Sequence, residues 1–203
     1  MPRISRGEFE RLPLRVHQVL AGVPLHDVWA VDLPRTRSGI TLDEFLRAAD
    51  GRPFRPSMAV RALLSTRFFV GRLLGWDREP DGAVHETFAT RLTTTDLSQT
   101  LTPVGSPEKL FRTVYRFANE QLLEIANRTV HGGALSALIE TETSYRLYFA
   151  VYVRNVGRLT PFYMALIDPF RRLIVYPSLL RSVRASWDRA FVTPTRRDRA
   201  HRQ

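Results

Sequence analysis

Between Tyr145 and Arg154 apolar and polar positions alternate by parity. Tyr145, Leu147, Phe149, Val151 and Val153 form one wholly apolar set, while Arg146, Tyr148, Ala150, Tyr152 and Arg154 form a mixed set with arginine at both ends. Successive side chains of a strand point to opposite sides of a sheet, so this pattern predicts a strand with one core face and one polar-ended face. Weaker alternation predicts strands over residues 27–33, ending at Pro34, over 111–118, 121–125 and 129–140. A threonine-rich strand followed by a loop is expected over 88–101. The turn between the strands at 121–125 and 129–140 falls at Ala126-Asn127-Arg128 or at the hairpin dipeptide Gly132-Gly133. The earlier turn is favoured, which leaves the glycines inside a strand as a bulge or a point of close approach.

After Gly157 the apolar period changes to that of a helix. Thr160 can cap it and Pro161 suits its first position, where no amide donor is needed. The helical pattern persists to about Phe191. Pro169 and Pro177 lie within it and predict a kinked or two-piece helix. Phe162, Tyr163, Leu166, Ile167, Phe170, Leu173 and Ile174 are expected to face inward, and Arg171, Arg172, Arg181 and Arg184 outward. Nearer the start, Thr41 and Glu44 have the spacing of a capping box, predicting a short helix that stops near Asp50-Gly51. A second helix is expected over 56–76, closed by Gly75.

The order of these elements predicts an α+β fold in which a curved antiparallel sheet wraps around a long C-terminal helix, with two short helices after the first strand. Residues 1–24 are expected to be a loosely held lead-in segment with one helical turn. Residues 25–191 form a single domain, and 192–203 a basic, disordered tail. A chain of 203 residues can bury a substantial core without disulfides or metal.

Composition removes several function classes. With no cysteine there is no thiol nucleophile, cysteine-ligated zinc or iron–sulfur site. The net charge of +10 raises nucleic-acid binding. However, all but Lys109 of the 30 basic residues are arginine, scattered from Arg3 to Arg202 without forming one stripe. Such a bias is expected of a high-GC genome, and no specific nucleic-acid partner is predicted. The absence of a secretory h-region or an apolar run of spanning length predicts a cytoplasmic location.

Three stretches, RALLSTRFFVGRLLGW (61–76), NRTVH (127–131) and LTPFYMALIDPFRRLIVYP (159–177), together resemble the bacterial domain of unknown function 2867. The resemblance extends over about residues 25–190 and is strongest in the last third. That family is similar in element order to the START-like helix-grip fold, so the resemblance implies the same architecture. It carries no catalytic residues over to this chain.

Candidate chemistry is sparse. His131, beside Gly132-Gly133, could hydrogen-bond a ligand from a strand facing a cavity; the alternative is a satisfied core histidine. Arg128 could pair with an anionic ligand or with a carboxylate such as Glu124. Phe149, Tyr163 and Phe170 would line a cavity between sheet and helix, or simply pack as core. His85 and Glu86 are neighbours on one strand and would face opposite ways. The histidines at 17, 26, 85, 131 and 201 lack HxH or HExxH spacing, and there is no GxSxG elbow, P-loop or GxGxxG, so neither metal nor cofactor is predicted. The function expected is binding of a small hydrophobic or amphipathic ligand between sheet and C-terminal helix. The alternatives are an enzyme acting on a hydrophobic molecule, with His131 as its best candidate, and a peripheral membrane or partner-binding protein using the basic helix. Oligomeric state is not readable.

Overall fold

The computed structural model describes residues 4–49, 86–108, 110–126, 131–154, 169 and 171–192. Within them a curved, six-stranded antiparallel sheet forms from β1 (Leu25–Pro34), β2 (Pro107–Glu108), β3 (Phe111–Arg116), β4 (Glu120–Ala126), β5 (His131–Glu140) and β6 (Ser144–Arg154). The strand order is β1-β6-β5-β4-β3-β2, so the last strand in sequence inserts beside the first. The long pairings of β6 with β1 and with β5 make the centre of the sheet. No helix among the described residues is long and apolar enough to cross a membrane.

One face carries the odd positions of β6. Tyr145 and Leu147 are buried there with Val31 and Leu33 of β1 and Leu138 of β5. Covering them are α3 (Leu42–Ala48) and the C-terminal helix α5 (Tyr176–Trp187). Tyr176, Leu180, Val183 and Trp187 recur at helical spacing and are all buried, while Arg181 and Arg184 point to solvent. Trp187 packs its ring 5.2 Å from Phe45 and 5.3 Å from Tyr145, and its indole N–H donates to the Pro34 carbonyl at 3.0 Å. Thr41 caps α3 by accepting the Glu44 amide at 3.1 Å. The Glu44 carboxylate turns outward to Arg37, however, so the capping box is half made.

The opposite face, read in sequence as mixed and polar-ended, is also a core face between its two terminal arginines. Tyr148, Ala150 and Tyr152 are buried there against residues 4–24, which form α1 (Arg6–Glu10) and α2 (Val16–Val19). Phe9 and Val16 are wholly enclosed, so the lead-in segment is part of the packed unit and not loosely held. The sheet is therefore the middle of three layers. Tyrosine made this face look mixed in sequence, but a phenol ring packs as an apolar body with a polar tip.

Two glutamates four residues apart on β4 anchor this layer. The Glu120 carboxylate accepts the amides of Arg15 and Val16 at 2.8 Å each, binding the start of α2 to the sheet, and also accepts the Tyr115 hydroxyl. Burial first, and the Glu120 charge second, push the Tyr115 phenol well up, so it stays a donor. Gly133 is the close-approach point between the layers: a Cβ there would lie 3.0 Å from Leu20 Cδ1 and 3.3 Å from Leu122 Cδ1. The β4–β5 register runs unbroken through both glycines, so no bulge is present.

Two further expectations are corrected. Residues 88–101 hold a 3-10 turn (Phe88–Arg91) and helix α4 (Thr94–Gln99), not a strand. Their threonines act as caps: Thr93 accepts the Asp96 amide at 3.2 Å and Asp96 returns a bond from the Thr93 amide at 2.8 Å. Leu173, expected inward, is 77% exposed. It lies on a π-type turn, Arg171–Val175, just before α5. That wider turn holds more residues than an α-turn and rotates Leu173 off the buried stripe. Pro177 sits in the first turn of α5. The helix predicted over 56–76, Pro161 and the C-terminal tail from 193 lie outside the described residues.

Candidate functional site

The start of α5 lies over one end of the sheet, where β1 is irregular. Leu25 pairs with Tyr152 and Asp27 with Val151, leaving His26 as an extra residue. Such a bulge re-aims a side chain that regular alternation would send to the other face. Here it brings His26 Nε2 to 3.6 Å from Asp27 Oδ2. The Tyr176 hydroxyl lies 3.4 Å from the same oxygen. Asp27 is only 2% exposed, on the face otherwise filled by apolar side chains, so its environment is one where an unsupported carboxylate would be costly.

Tyr176 joins this polar group to an aromatic cluster. Trp29, two residues along β1 on the same face, packs its ring 5.0 Å from that of Tyr176, and Phe149 lies edge-on to Tyr176 at 6.2 Å. Beside them an open groove of about 390 Å³ runs along the outer edge of β1, lined by Ile4, Ser5 and Arg6 on one side and Leu25, His26, Asp27 and Val28 on the other. The Ile4 amide donates to the Val28 carbonyl at 3.3 Å and holds the outer wall in place. Arg6 is paired with Glu10 at 2.7 Å. Trp29, Phe149 and Tyr176 are not among the residues that line this groove; the contact of the Tyr176 hydroxyl with Asp27 is what links the two.

His131 lies elsewhere. Its Nε2 is 2.6 Å from Glu124 Oε1, and its ring stacks on Phe88 with centroids 4.2 Å apart. The same carboxylate accepts the Phe88 amide at 2.9 Å and the Thr87 hydroxyl. Burial pushes the Glu124 carboxyl up, but the bonds from His131, Thr87 and the Phe88 amide outweigh it and hold the group below its ordinary value. His131 pairs in register with Arg154, an even position of β6, whereas Phe149 pairs with Ser136 of β5. The histidine and the phenylalanine therefore stand on opposite faces of the sheet and cannot line one cavity. His131 has no exposed surface, and its geometry ties the 86–91 turn to the sheet.

Of the other residues singled out in the sequence, Arg128, Tyr163, Phe170 and His85 lie outside the described residues. Glu86 accepts the Thr90 hydroxyl at 3.1 Å on the surface. Among the described residues no three His, Asp or Glu side chains converge as a metal would require. His26 and Asp27 were missed as a site because a bulge leaves no mark in residue type. The one signal was Asp27 itself, a charge at the head of the β-rich run DVWAVDL.

No curated protein and no solved structure matches this chain. The profile of the family described as "Protein of unknown function (DUF2867)" matches residues 19–178, which takes in β1 to β6 and the start of α5. The chain belongs to that family.

Proposed function

We propose that the protein binds a small hydrophobic or amphipathic molecule between the sheet and the C-terminal helix, in the manner of a START-like helix-grip fold. The strand order, with β6 beside β1 and α5 across the odd face of β6, supports that architecture. Fold alone does not choose a ligand, so the reading rests on the site. The observation that carries it is the buried Asp27 carboxyl, which lines an open groove and meets the hydroxyl of Tyr176, whose ring packs against Trp29 and Phe149.

A thermal-shift screen with medium-chain alkanes, alcohols, ketones, fatty acids and apolar dyes tests the reading. A molecule that binds only the folded state raises Tm, and more so as its concentration rises above Kd. Phe149→Ala removes part of the aromatic wall and should weaken the ligands that bind. No thermal shift across the screen would reject the reading.

A further inference from the structure

The indole N–H of Trp29 is enclosed by protein and makes no hydrogen bond among the described residues. The contrast with Trp187 is direct: that indole donates to the carbonyl of Pro34, on the same strand as Trp29. A buried donor left without an acceptor costs free energy that a water-filled or ligand-filled site recovers. Trp29 is half-buried, its ring lies against Tyr176, and it follows Asp27 by two positions on the same face. The unsatisfied donor is thus linked to the groove through Tyr176, whose ring packs on Trp29 and whose hydroxyl reaches Asp27.

An indole nitrogen donates and cannot accept, so its complement is an acceptor. We infer that the ligand carries a neutral acceptor oxygen, a ketone, ester or ether on an apolar skeleton, and that Trp29 Nε1 donates to it. This deepens the ligand-binding reading above and rests on it. A carboxylate ligand fits less well, because the buried Asp27 already places an acidic group beside Trp29 on that face. Bringing a charged carboxylate beside a second acidic group costs desolvation that a neutral oxygen does not. The ring supplies a flat apolar surface for the skeleton, and the N–H sets where along that skeleton the oxygen lies.

The test compares two ligands with the same number of heavy atoms, 2-nonanone and n-decane, on the wild type and on Trp29→Phe. Phenylalanine keeps an aromatic surface and removes the donor. Affinities are measured by headspace partitioning, and the indole proton of Trp29 is followed by ¹⁵N–¹H NMR in the wild type. The expected result is that Trp29→Phe weakens 2-nonanone about fivefold, the effect of one neutral hydrogen bond, and leaves n-decane within about twofold. In the wild type the indole proton should move downfield with the ketone and not with the alkane. Equal weakening of both ligands, or an indole proton indifferent to the ketone, overturns the inference while leaving the ligand-binding reading intact. If neither molecule binds while other members of the screen do, the acceptor is again rejected; if nothing in the screen binds, both readings fall. Should Trp29→Phe not fold, the wild-type indole shift decides alone.

Discussion

His131 Nε2 and Glu124 Oε1 lie 2.6 Å apart across neighbouring strands, with the histidine fully enclosed. Glu124 stands opposite Gly133 in the β4–β5 register, and His131 is the next position on that face. The missing side chain at Gly133 leaves room for Phe88 and Leu20 to reach the sheet beside this contact. The pair and the glycine therefore form one packing unit with the N-terminal layer.

Removing one member of this buried pair should cost more than the pair contributes, because the other is left desolvated and unmatched. Glu124→Ala is expected to destabilise by about 3–5 kcal/mol. It also leaves the Phe88 amide and Thr87 hydroxyl without their acceptor. Urea denaturation checks this, and a loss below about 1 kcal/mol would show that the contact is not formed in solution.

The same contact predicts an acid limb. The folded Glu124 carboxyl titrates below its ordinary value, so its stabilisation is fully present above the unfolded value of about 4.3. It is lost as pH falls through the lower folded value. Unfolding free energy should therefore fall on acidification below about pH 4.5, and the slope in this range should be shallower in Glu124→Gln. Parallel slopes in the two proteins would assign the acid sensitivity to other carboxylates.

Gly133→Ala should destabilise by about 1–3 kcal/mol through overpacking against Leu20 and Leu122. Leu20→Ala opens space at the nearer contact, so the double variant should lose less than the sum of the singles. Strict additivity would mean that the two sites do not touch.

Trp187→Ala should cost about 3–5 kcal/mol, by opening a cavity between α5, Phe45 and Tyr145. Trp187→Phe keeps most of the packing but strands the Pro34 carbonyl. It should fall between the wild type and the alanine variant in thermal unfolding.

Thr93→Ala tests the helical reading of 88–101. Loss of the α4 cap should cost about 0.5–2 kcal/mol, and Asp96 would keep its 2.6 Å bond to Arg15. A neutral effect would argue against the capping box.

Elements whose pattern is local and periodic are legible in the order of the residues. Parity from Tyr145 to Arg154 located β6 and the face that receives α5, and the charges at 181 and 184 located the exposed side of that helix. Thr41 announced α3, because a cap is a contact three residues long. Tertiary structure alone decided the second core face. Nothing local distinguishes a tyrosine facing water from one covered by α1 and α2, and burial of Tyr148 and Tyr152 depends on residues more than a hundred positions away. The site was hidden for the same reason. The extra residue at His26 lies just before the alternating run, and it comes to Asp27 where β1 is paired along β6. His131 and Phe149 each lie on the strands predicted for them, but which face each occupies follows from the β5–β6 register, a long-range pairing that no single stretch of sequence encodes.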